Sequence, residues 1–182
     1  MKVFHAVAAA ALALFAFGAN AQSITSVVPG SGYTYGPLTF NSGTMPFGTT
    51  NVSDSTHLAP LGVTGDYSFI STGGSATILF APGVSSFSFL WGSPDSYNSV
   101  LVNNVKTFTG FDVVASPSGL NSDTRFVTIS NTDGGLSSLV FTASNVAFEL
   151  ASVTPVPEPE TYALMLAGLG VVGFMARRRK IV

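Results

Sequence analysis

The chain has 182 residues, 46% hydrophobic and only 9% charged, with no cysteine and a formal net charge of -2 at pH 7. That length holds one domain with appendages rather than two full domains, and the missing cysteines exclude a disulfide framework and any thiolate metal site. Five of the 7 Lys and Arg residues (Lys2, Arg177, Arg178, Arg179 and Lys180) sit at the ends. The middle is left with Lys106 and Arg125 against seven acids, which excludes nucleic-acid binding through clustered phosphate contacts.

The first 21 residues combine a basic start at Lys2, an apolar run from Ala6 to Phe17, and Ala19-Asn20-Ala21 as a small-x-small cleavage site before Gln22. An apolar run of about 12 residues spans only about 18 Å as a helix, short of the roughly 30 Å hydrocarbon core. The pattern predicts a signal peptide over 1–21, handled by the general secretion machinery and cut by signal peptidase at Ala19 and Ala21, rather than a permanent anchor.

From residue 22 to 154 no apolar pattern of period 3.6 is sustained, and short alternating runs are broken by Gly, Pro, Asn and Ser. The stretch from Ile24 to Pro60 predicts one or two edge strands and long loops. Clear strands are expected at Ala76 to Phe80, Ser85 to Trp91, Ser99 to Asn103, Arg125 to Ser130, Leu136 to Thr142 and Val146 to Val153. In the second of these, Phe87, Phe89 and Trp91 share one face and Ser86 and Ser88 the other. Turn formers such as Gly73-Gly74, Pro82-Gly83, Pro94-Asp95, Asn103-Asn104 and Asp133-Gly134-Gly135 separate the runs. Together they predict an all-β fold, a single sandwich or jelly-roll-like domain.

Few residues in this domain offer chemistry. His57 is its one histidine, set in a polar loop-like stretch without a nucleophile-elbow pattern, so the chain is expected not to be an enzyme. Asp95, Asp112 and Glu149 are candidates for paired-carboxylate hydrolysis that the sequence cannot place relative to one another. Alternation puts Glu149 on the face opposite Phe148 and Leu150. A structural calcium ion could draw on Asn131-Thr132-Asp133-Gly134, Asp54, Asp66, Asp112 and Asp123. No loop has EF-hand spacing, and turn chemistry accounts for these residues equally well. Trp91, Asp95, Tyr97 and Asn98 form the best candidate glycan contact, an aromatic beside carboxylate and amide groups. The competing reading is that Trp91 ends a core strand and the rest is the turn after it.

The C-terminus has three parts in strict order. Val156-Pro157-Glu158-Pro159-Glu160 is held extended by its prolines, as a protease substrate must be. Thr161 to Ala176 is an apolar, Gly-containing run of about 16 residues, about 24 Å of helix and marginal for spanning. Arg177, Arg178, Arg179 and Lys180 then act as a stop-transfer cluster held on the cytoplasmic side.

This tail resembles the PEP-CTERM sorting signal, a segment that is also called an ice-binding protein C-terminal domain. The stretches Phe87-Ser88-Phe89-Leu90-Trp91-Gly92-Ser93-Pro94-Asp95-Ser96-Tyr97-Asn98 and Asn145-Val146-Ala147-Phe148-Glu149-Leu150 also resemble segments of PEP-CTERM surface domains. The second of these usually continues into an Asp-Asn pair, where this chain has Ala151-Ser152. The resemblance implies a membrane-embedded exosortase as partner, cleaving near Pro157, Glu158 and Pro159. It also implies a transient stay in the inner membrane, then release to the cell surface or extracellular biofilm matrix, where such proteins accompany exopolysaccharide. The function expected is that of a noncatalytic surface or matrix protein. The alternatives are a carbohydrate-binding module for exopolysaccharide and, on the name of the tail alone, an ice-binding surface, for which the Thr residues show no regular repeat.

Overall fold

Strand formation follows the period-two pattern most clearly in the middle of the chain. In Asn98–Val102 residues 98, 100 and 102 are buried, and in Arg125–Asn131 residues 127, 129 and 131 are. A computed structural model describes residues 22–29, 33–54 and 56–155, together with positions 165, 168, 169, 172 and 175. The strands are β1 (Gln22–Val27), β2 (Tyr33–Gly36), β3 (Ser42–Thr44), β4 (Phe47–Thr50), β5 (Tyr67–Ile70) and β6 (Ser75–Leu79). They continue as β7 (Ser86–Trp91), β8 (Asn98–Val102), β9 (Lys106–Thr109), β10 (Arg125–Asn131), β11 (Ser138–Ala143) and β12 (Phe148–Pro155). Helix is confined to α1 (Gly110–Val113), a 3-10 turn at Asn121–Asp123, and the five described tail positions.

Among the described residues the strands form two antiparallel sheets. One has seven strands in the order β1-β10-β7-β12-β5-β4, with β2 also paired to β12; the other runs β3-β6-β11-β8-β9. Their facing sides share one core. Phe89 meets Phe141 edge-on with centroids 5.3 Å apart, Phe141 meets Phe148 at 5.8 Å, and Trp91 packs on Phe148 at 4.5 Å. A smaller cluster of Tyr67, Leu90 and Ala151 lies on the far side of the larger sheet, covered by Ala59, Val63, Tyr35, Phe126 and Val153.

The all-β expectation therefore takes the form of two antiparallel sheets with almost no helix. All six predicted strands exist, shifted by one or two residues at most of their ends. The region from Ile24 to Pro60 needs correcting: it holds four strands, of which β1, β3 and β4 are sheet edges. β5 and β9 add to the expected strands, and four residues each are too few for alternation to stand out. Asn103 and Asn104 open the three-residue connection between β8 and β9, with φ of 51° and 58°, a conformation that Asn tolerates well.

The expected signal peptide over 1–21, with Ala19 and Ala21, lies outside the described residues, as do the motif Val156, Pro157, Glu158, Pro159 and Glu160 and the cluster Arg177, Arg178, Arg179 and Lys180. No helix among the described residues is long and apolar enough to cross a membrane. The predicted helix over 161–176 is represented by its five described positions, each helical.

Candidate functional site

The segment after β7, which carries the candidate glycan contacts, is mostly buried. Trp91 is 0% exposed, and its indole Nε1 has no hydrogen-bond partner. The Asp95 carboxylate turns back on its own loop. Oδ1 accepts the backbone N–H groups of Tyr97 (2.7 Å) and Asn98 (2.8 Å), and Oδ2 accepts Asn98 Nδ2 (2.9 Å). Asn98 Nδ2 also donates to the Ala147 carbonyl at 2.9 Å, tying the loop to the start of β12. Burial raises the Asp95 carboxyl above its usual range, against the lowering effect of the two backbone N–H groups.

Of the four candidate glycan contacts, Trp91, Asp95 and Asn98 are buried and Tyr97 is 47% exposed. Tyr97 lines a cleft of about 300 Å³ with Asp95, Ser96, Pro117, Ser118, Gly119 and Val146. Its far wall is fixed by Asp123, whose Oδ2 accepts the Ser118 N–H at 2.7 Å.

Val146 also borders a second cleft of about 380 Å³, lined with Thr56, His57, Ser71, Thr72, Asn145 and Ala147. His57 packs edge-on against Phe69 at 4.3 Å, with Nε2 3.4 Å from Ser71 Oγ and Nδ1 3.1 Å from Thr56 Oγ1. A catalytic relay would need a carboxylate on Nδ1, and Asp54 Oδ1 is 3.9 Å away. That oxygen instead accepts the Thr56 N–H (2.7 Å), the Thr56 hydroxyl (2.6 Å) and the His57 N–H (3.0 Å). These bonds, led by the Thr56 hydroxyl, hold Asp54 below the usual carboxylate range.

The structure brings together one group whose setting the sequence did not reveal. Glu149 does lie opposite the main core, as alternation requires, yet that side is covered and the residue is only 2% exposed. Oε1 accepts the Leu58 N–H at 3.0 Å and Oε2 accepts the Ser93 hydroxyl. Burial pushes the carboxyl up to about 7, partly opposed by those two bonds and reinforced by the charge of Asp95. Tyr67 is pushed up to about 12, by burial first and then by the charges of Glu149 and Asp54; its hydroxyl donates to the Val52 carbonyl. A polar residue between two apolar ones in a strand is the only trace of this site in the sequence.

The other carboxylates proposed for calcium are scattered. Among the described residues no three His, Cys, Asp or Glu side chains group to hold a metal. Asp112 accepts the Thr109 N–H at 2.7 Å at the start of α1, Asp133 accepts the Thr132 hydroxyl at 3.4 Å, and Asp54 and Asp123 close their own turns.

β12 runs to Pro155, pairing Ser152 through Pro155 with β2, and Val156 of the candidate sorting motif is the next residue in the sequence. The chain matches no curated protein and no solved structure. Residues 155–180 match the family model of the PEP-CTERM protein-sorting motif, which implies export and exosortase-mediated sorting to the cell surface.

Proposed function

We propose that this chain is a noncatalytic surface or biofilm-matrix protein. In this reading its leader is removed during secretion, its tail rests briefly in the inner membrane, and an exosortase passes the two-sheet domain outward. The observation that carries it is the junction at Pro155, where the last strand of the domain ends and the matched motif begins. Such a junction suits a module presented whole and cut at its base. The absence of catalysis is supported by the local engagement of Asp54, Asp95, Asp112 and Asp123, whose oxygens close turns rather than converge on a reacting group.

Mass spectrometry of the mature C-terminus in cells with and without the exosortase tests this. Loss of Arg177 through Lys180 only when the enzyme is present is the expected result, and an intact basic tail on surface protein defeats the reading.

The second reading, a carbohydrate-binding module for exopolysaccharide, is favoured by one observation: the exposed Tyr97 ring beside a polar cleft. Glycan-array binding that Tyr97→Ala abolishes without lowering the melting temperature would establish it.

A further inference from the structure

We propose that Gln22, once it is the first residue of the exported chain, closes on its own α-amine to form an N-terminal pyroglutamate. The step rests on the export reading above, with cleavage after Ala19-Asn20-Ala21. The free amine nitrogen attacks the side-chain amide carbon Cδ, and a new N–Cδ bond closes a five-membered lactam. The Cδ–Nε2 bond breaks, and the Nε2 group leaves as ammonia, taking a proton from the attacking nitrogen. No oxidant, reductant or second substrate is needed.

Three observations meet at this residue. First, β1 begins at Gln22, paired with Asn131 of β10, so the mature chain starts inside the sheet rather than on a free arm. Second, Gln22 is 5% exposed and its side-chain Oε1 is buried with no hydrogen-bond partner, so no described group holds the amide oxygen away from the amine. Third, Lys106 reaches from β9 of the other sheet and places Nζ 3.1 Å from the Gln22 carbonyl oxygen. Cleavage would therefore create an α-ammonium on the same residue that already receives the Lys106 ammonium, at a nearly buried position.

Burial and a neighbouring like charge both favour the neutral amine, which is the nucleophile of the cyclisation. The lactam removes the amine's charge and leaves Lys106 as the one cation there among the described residues.

Intact-mass and N-terminal peptide analysis of the exported full-length protein tests the proposal. The expected product begins at Gln22, is lighter than the open chain by one ammonia, and has no reactive α-amine. A chain beginning at Gln22 with a free amine overturns the lactam while leaving export intact. A chain that keeps leader residues overturns both. Gln22→Glu must lose water instead of ammonia and is expected to keep its free amine, which controls for blocking by another modification.

Lys106→Met tests the cause, with folding checked by circular dichroism. Protein freed at Gln22 in vitro is expected to cyclise more slowly in the variant by up to about tenfold, the change in neutral amine that accompanies a one-unit pKa shift. Equal rates in the two proteins would overturn the part assigned to Lys106.

Discussion

Glu149 on β12 accepts the backbone N–H of Leu58 at 3.0 Å, so a buried carboxyl fastens the loop that carries His57 to the centre of the larger sheet. With its pKa raised from 4.5 to about 7, the folded protein holds a proton that the unfolded chain has already lost across that window. The stabilisation is therefore full below about pH 4.5 and is lost as pH rises toward about 7, a change on the order of 3 kcal/mol. Urea denaturation between pH 4 and 8 should show this decline, with Glu149→Gln flattening it. A wild-type stability that rises across the same range would contradict the assignment.

Trp91 and Tyr97 should separate cleanly. Trp91→Ala empties the contact with Phe148 and should cost about 3–5 kcal/mol. Tyr97→Ala, at an exposed position, should stay within about 0.5 kcal/mol. Equilibrium unfolding of the two variants checks this, and near-equal losses would show that the Trp91 environment has been misassigned.

Gly110 tolerates no side chain. A Cβ there would lie 2.2 Å from the Asp95 carbonyl oxygen, which already accepts the Gly110 N–H at 3.0 Å. Gly110→Ala should lower stability by about 1–3 kcal/mol through displacement of the Asp95 loop. Tyr97 rides on that loop, so the variant should also weaken any glycan binding; a melting temperature equal to wild type would refute the close approach.

Replacing Pro157 and Glu158 with alanine should leave the domain folded and the precursor uncut. Fractionation is expected to move the protein from the surface to the inner membrane with its basic tail attached. Normal surface display of the double variant would show that these residues are not what the exosortase reads.

The sequence disclosed what depends on local order. Phe87, Phe89 and Trp91 showed their shared face through simple alternation, and the tail showed its address through three adjacent segments. It did not disclose what long-range pairing decides. β5 gains definition only between β4 and β12, and Glu149 becomes buried only because a loop some 90 residues earlier in the chain folds over it. The glycan candidate fell between the two. Its residues were adjacent in sequence, but Trp91 points into the core, while Asp95 and Asn98 bind each other across the turn that the competing reading placed after the strand.

The union of β12 with the tail also sets how the protein bears load. Under the proposed retention of the tail in the membrane, traction on the domain would enter at Pro155 and run along a strand bonded to β2 at its C-terminal end, and to β7 and β5 farther in. Tension directed along that strand strains its ladder bonds together, in shear, instead of peeling them one at a time. A tether at that point would act through an interior strand of the larger sheet, an element placed to keep the domain folded under drag.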